Sequence, residues 1–156
     1  MRRAQAMLET LIALLVIMLA FTGAHLLSRK LEAKTILNHA AARAARARAV
    51  GFNEFMCRKT ARAAMIPVSG RRLWPDENGV DEVSRVPIYL SAEDEGRANA
   101  VLDYENWHSS AIRIDSPAGI APLVDVDIYM SSDDFDMTGG ASVESHFPLY
   151  MYNQGR

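Results

Sequence analysis

The sequence predicts an α+β protein in which a long N-terminal helix packs its distal end on a small antiparallel sheet. Three observations carry that expectation. An uncharged apolar run extends from Thr10 to Leu27, an alanine- and arginine-rich stretch continues it without proline, and the C-terminal half holds short alternating segments broken by glycine and proline. With 156 residues the chain has room for one modest domain, or for a long helix plus a small head.

The apolar run comes first. Thr10 to Leu27 is 18 residues without a formal charge. At about 1.5 Å per residue it covers about 27 Å of a hydrocarbon core about 30 Å thick. Ala6, Met7 and Leu8 lengthen it, and Leu11, Leu14, Leu15, Ile17, Leu19 and Phe21 are the expected membrane-embedded side chains. Arg2 and Arg3 ahead of the run favour a cytoplasmic N-terminus, while Arg29, Lys30 and Lys34 behind it weaken that asymmetry. The competing reading is a secretory signal peptide cut after Thr22-Gly23-Ala24, which leaves a soluble chain starting at His25. Against it stand Glu9, placed where a purely apolar segment has already begun, and the unchanged helical character beyond Ala24. A carboxylate beside hydrocarbon is costly unless paired or neutralised, so Glu9 is the first candidate functional residue. Its plainer role is interfacial, reaching headgroups from a membrane that begins nearer Leu11.

Beyond the run, Ser28 to Met65 contains no proline and one glycine, Gly51, and is dominated by good helix formers. Leu37, Ala41, Ala44 and Ala45 form a narrow face suited to close packing against a neighbour, continued less regularly by Phe52, Phe55 and Met56. Glu54 and Arg58 are spaced for a helical ion pair. Pro67 is the stop, so the helix is expected from about Gln5 to Ala64, with a break near Gly51 or Asn53. Unbroken, those 60 residues would span about 90 Å.

Charge divides the chain. Residues 1–68 hold 11 Lys and Arg against 3 Asp and Glu, a net of +8; residues 69–156 hold 6 against 16, a net of −10. The basic half sits beside the apolar helix and has neither zinc-finger spacing nor an aromatic RNA-reading motif, so no nucleic-acid partner is expected. Arg43, Arg46 and Arg48 are either solvated or paired with the acidic half of a neighbouring subunit. Arg43 lies 16 residues past Leu27, about 24 Å along a helix and beyond headgroup reach if that helix stands upright. The single cysteine, Cys57, excludes an intramolecular disulfide and reads as a packed residue or an exposed thiol.

In the C-terminal half, Val68 to Val83 reads as a loop. Val86 to Leu90 reads as a first strand, confined to an edge by Pro87. Ser91 is the expected cap of a turn over Ser91–Glu95, and Ala98 to Trp107 is helical or irregular. Ala111 to Asp115 and Leu123 to Met130 alternate as strands, the second placing Val124, Val126, Ile128 and Met130 on one face. Pro117, Gly119 and Pro122 mark the connection between them. Ser131 to Gly140 reads as a polar loop, and Ser142 to Tyr150 as a last strand interrupted by Pro148. So small a sheet needs a second layer, which the distal part of the long helix supplies.

Catalytic and metal chemistry find little support. Asp125, Asp127, Asp133, Asp134 and Asp136 raise calcium, but without regular calcium-loop spacing, so no metal and no cofactor is expected. His25, His39, His108 and His146 are scattered, and Ser109 and Ser110 beside His108 are neighbours in sequence only. No zincin signature, nucleophile elbow or phosphate loop is present, and no enzyme is expected.

The segment Arg2-Arg3-Ala4-Gln5-Ala6-Met7-Leu8-Glu9 ahead of an apolar helix resembles the leader junction of type IV pilin-like proteins. Together with the run from Ala40 through Arg43 and Arg46 to Gly51, it looks most like the TadE-like minor pilins, or pseudopilins, of tight-adherence (Flp-type) pilus systems. The resemblance covers roughly residues 1–55 well. It implies cleavage of a basic leader between Ala4 and Gln5 by a prepilin peptidase, with Ala4 standing where glycine is usual. It places Glu9 fifth in the mature chain, paired with the N-terminal amine of a neighbouring subunit. The implied organisation is a leader at 1–4, a transmembrane helix at 5–27, an Ala/Arg-rich extension at 28–66 and a head at 67–156. The implied setting is the inner membrane, crossed once, with the N-terminus cytoplasmic and the head periplasmic. The implied partners are other minor pilins, the major pilin, the inner-membrane assembly platform and membrane lipid.

Overall fold

A computed structural model describes residues 2–75, 81–115, 123–132 and 135–144. The architecture is α+β, with one long apolar N-terminal helix and two small open antiparallel sheets. The chain forms two compact units, Met1–Glu32 and Ala33–Arg156.

Helix α1 (Arg2–Val50) contributes to both. It ends where expected. Gly51 takes φ 103°, a left-handed conformation that glycine adopts without a side-chain penalty. Asn53 then caps α2 (Glu54–Met65), its Oδ1 accepting the Met56 amide at 2.8 Å. Helix α2 stops at a 3-10 turn, Ile66–Val68, that contains Pro67. Arg58 and Glu54 form the expected i,i+4 ion pair.

In the second unit, β3 (Ser110–Asp115), β4 (Leu123–Ser132) and β5 (Phe135–Glu144) form a three-stranded antiparallel sheet in that order. Strand β4 buries Val124, Val126, Ile128 and Met130, as its alternation predicts. Those side chains pack on Leu37, Ala40, Ala41, Ala44 and Ala45 of α1, joined by Ala61 and Met65 of α2. The alanine face expected to meet a neighbour is thus consumed within the head. Alanine is what allows it, because small side chains let a helix backbone lie close to a sheet. The approach is tightest at Gly139, where an added Cβ would stand 2.6 Å from the Leu37 backbone carbon.

A second, smaller core gathers Tyr89, Ala98, Leu102, Tyr104 and Trp107. Its elements are β1 (Arg72–Trp74), α3 (Glu82–Ser91), α4 (Glu95–Val101), β2 (Asp103–Tyr104) and α5 (Glu105–Ser109), with β1 and β2 paired antiparallel.

Four expectations need correction. Val86–Leu90 is helical, within α3, despite Pro87 inside the helix. Asp81 caps this helix through the Val83 amide, and Val86, Tyr89 and Leu90 fall at helical spacing toward the second core. Ser91 is the last residue of α3; the cap of the next helix is Asp94, whose Oδ1 accepts the Arg97 amide at 2.8 Å. The last described strand is Phe135–Glu144, so Asp136 to Gly140 is strand where a loop was expected, and the Val68–Val83 loop contains β1. Of the two glycines in this stretch, Gly139 marks a close backbone approach to α1 instead of a loop. The expected strand beyond Glu144, the Pro117–Pro122 connection, Asp133, Asp134 and His146 lie outside the described residues.

Candidate functional site

In the N-terminal unit the candidate site is the apolar surface of α1. Every large apolar side chain from Met7 to Leu31 is 55 to 78% exposed, including Leu11, Leu14, Leu15, Ile17, Leu19 and Phe21. An 18-residue window here has a mean hydropathy of 2.3, and among the described residues one helix is long and apolar enough to cross a membrane. Thr10 and Thr22 return their hydroxyls to the Met7 and Met18 carbonyls at 2.9 and 2.8 Å, so neither leaves an unpaired hydroxyl donor on the apolar surface. Glu9 is exposed on this helix. Ala4 and Gln5 lie in its first turns.

The three arginines of the alanine stretch divide. Arg43 and Arg46 are exposed. Arg48 is half-buried, and its Nη1 donates to the Phe52 carbonyl at 3.2 Å across the helix break. Next to it Cys57 is buried, and burial pushes its thiol up while the Arg48 charge opposes the shift.

An open cleft of ≈ 330 Å³ is lined by Glu54, Phe55, Arg58, Lys59, Arg62 and Glu95. Its charges are largely spoken for. Arg58 pairs with Glu54, and Arg62 with Glu95 at 3.0 Å. Lys59 is only 1% exposed. Its Nζ donates to the Leu90 and Ala92 carbonyls at 2.7 and 2.6 Å, and stands 4.6 Å from the Phe55 ring centroid. The lysine thereby satisfies carbonyls at the end of α3 that lack an intrahelical partner. Burial lowers its pKa, disfavouring the charged form. Sequence inspection offers no cue to it, since a lysine on α2 reads as a solvated side chain.

His108 and its serines do not form a nucleophile–base pair. His108 Nε2 lies 2.9 Å from Asp103 Oδ2. Ser109 donates to the Ser131 carbonyl at 2.6 Å, and Ser110 to the Trp107 carbonyl at 3.0 Å. Among the described residues no cluster of three or more His, Cys, Asp or Glu side chains is placed to hold a metal ion.

The second core carries a pH signature. Burial pushes the Tyr89 phenol up to about 12, against the Arg62 charge. Tyr104 is likewise pushed up to about 12 by burial, reinforced by the Glu82 carboxylate. Both phenols stay protonated in the folded head, whereas in the unfolded chain they ionise near 10.0. Their contribution is therefore complete below pH 10 and is lost as pH rises toward 12. Lys59 acts oppositely: the cost of its burial is relieved as pH climbs toward 10.5. Urea midpoints across this range should hold or rise slightly to pH 10 and then fall, and Tyr89→Phe should flatten part of the fall. A midpoint that stays level between pH 10 and pH 12 contradicts this assignment.

No protein-family model matches this chain, and no curated protein or solved structure matches it.

Proposed function

We propose that this chain is a single-pass membrane-tethered structural or binding protein. Helix α1 anchors it, and the folded unit beginning at Ala33 is presented outside the cytoplasm. One observation carries the reading: the large side chains of Met7–Leu31 are exposed, while the head closes its own two cores. An apolar surface of that extent is stable in lipid and costly in water. Arg2 and Arg3 support a cytoplasmic N-terminus. The role assigned to the head is recognition or support, without bond chemistry.

A second, more specific reading is a pilin-like subunit of a tight-adherence system. Two features support it. The helix bearing the anchor also supplies Leu37–Ala45 to the head core, a helix-on-sheet packing that the resemblance implies. Glu9 also stands four residues after Gln5 in an apolar helix. On this reading a prepilin peptidase cuts between Ala4 and Gln5, and Glu9 pairs with the new amine of a neighbour, offsetting the cost of both charges in an apolar bundle. The partners are then other minor pilins, the major pilin and the assembly platform.

Intact-mass measurement on membrane-extracted protein separates the readings. A chain starting at Met1 and resisting carbonate extraction supports the plain tether, and one starting at Gln5 supports the pilin-like subunit. A soluble chain starting at His25 removes both. Glu9→Gln should leave membrane insertion unchanged and, for a pilin-like subunit, abolish incorporation into the assembly. Undiminished incorporation would remove the pairing role.

A further inference from the structure

The two-layer head leaves two solvent faces of opposite charge. On the sheet, residues facing away from α1 include Asp115, Asp125, Asp127, Asp136 and Glu144, against Arg113 as the one cation among the described residues of that face. Asp115 and Asp125 are direct cross-strand partners, an arrangement that disfavours the free face because like charges stand opposite one another. None of these five carboxylates joins an ion pair among the described residues. On the other layer, His39, Arg43 and Arg46 are exposed and follow i, i+4, i+7 spacing, on the side of α1 opposite the buried row of Leu37, Ala41 and Ala44. Arg43 and Arg46 likewise have no ion-pair partner among the described residues.

We infer that the head is self-complementary: the Arg43–Arg46 face of one copy docks on the Asp125–Asp127 face of a second copy. The two patches differ, so the contact is heterologous and each copy keeps one free patch of each sign. Copies therefore add in rows or rings. Charge complementarity selects the occupant, since the acidic face and the basic stripe belong to the same molecule and lie on opposite layers. Arginine suits the contact because its planar guanidinium binds carboxylates with two parallel hydrogen bonds. Arg48 takes no part, being turned to the Phe52 carbonyl. The contact is a property of the head and goes beyond both readings of the anchor.

The test uses the full chain in a mild non-ionic detergent, followed by sedimentation and by cross-linking between two differently tagged populations. Wild type should associate with concentration and dissociate as salt rises, because exposed charge contacts are screened. The Arg43→Glu/Arg46→Glu and Asp125→Lys/Asp127→Lys double variants should each associate at least about tenfold more weakly than wild type. Each should keep the wild-type circular dichroism spectrum. Each variant still keeps one wild-type patch, but its reversed patch repels that partner. Mixing the two should restore association with copies of the two variants alternating, because reversed patch meets reversed patch at one contact and the two untouched patches meet at the next. Association that ignores salt and both reversals would assign self-contact to the apolar helix and overturn the proposal. So would a mixture that fails to pair, or a wild type that stays monomeric at low salt.

Discussion

Trp107→Ala should destabilise the head by about 3–5 kcal/mol, the range for truncating a buried aromatic side chain. Trp107 is 1% exposed and sits between Tyr89 and Tyr104, at ring-centroid distances of 5.2 and 4.9 Å. It also donates its indole N–H to Ser69 Oγ at 2.7 Å, while that hydroxyl donates to the Met65 carbonyl at 2.8 Å. Removing the ring opens a cavity beside the other four buried residues of the second core and leaves the wholly buried Ser69 without its donor. A domain of this size has about 5–15 kcal/mol in total, so the loss is a large share of it. Urea unfolding followed by circular dichroism in detergent measures the effect, with membrane association expected to survive. A loss below about 1 kcal/mol would mean that this cluster does not hold the second core together.

The second large effect separates two adjacent glycines. Gly139→Ala should cost about 3 kcal/mol, the upper end of overpacking penalties, because the new Cβ meets backbone. It would stand 2.6 Å from the Leu37 carbon and 2.8 Å from the Asn38 nitrogen, so relief requires moving helix from sheet. Gly140→Ala instead meets the Asp127 Oδ1 at 2.7 Å, the end of an exposed side chain that can swing away. Neither glycine has positive φ, so alanine also lowers the entropy of the unfolded chain at both. Gly140→Ala is therefore expected within about 0.5 kcal/mol of wild type. Equal losses at the two positions would show that helix-to-sheet distance is not what selects glycine at 139.

The same pair explains why part of the fold was legible and part was not. Strand β4 announced itself by alternation that burial then obeyed at Val124, Val126, Ile128 and Met130. Strand β5 alternates too, through Met137, Gly139, Ala141 and Val143, but two glycines and preceding aspartates gave it the look of a loop. Helix α3 carried a capping aspartate and helical spacing of Val86, Tyr89 and Leu90, yet Pro87 outweighed them in the strand reading. Its missing amide is tolerated in a helix held through packing of Tyr89 and through Lys59 at its end.

By itself the sequence marked the apolar run from Thr10 to Leu27, a helix break near Gly51 or Asn53, the stop at Pro67, and the division of the chain into basic and acidic halves. These are local properties: hydropathy, backbone preference and formal charge depend on no distant residue. Only the tertiary structure decided what the alanine face covers, why Lys59 is buried, and which carboxylates share a face with Asp125. Each of those depends on elements far apart in sequence, as in the Gly140 amide that donates to Asn38 Oδ1 at 3.2 Å. The long helix that first suggested an anchor is thus two things physically. It is an exposed apolar cylinder up to Leu31, and a packing surface from Ala33 onward, where alanines on the helix and Gly139 on the sheet opposite Leu37 let the two layers approach.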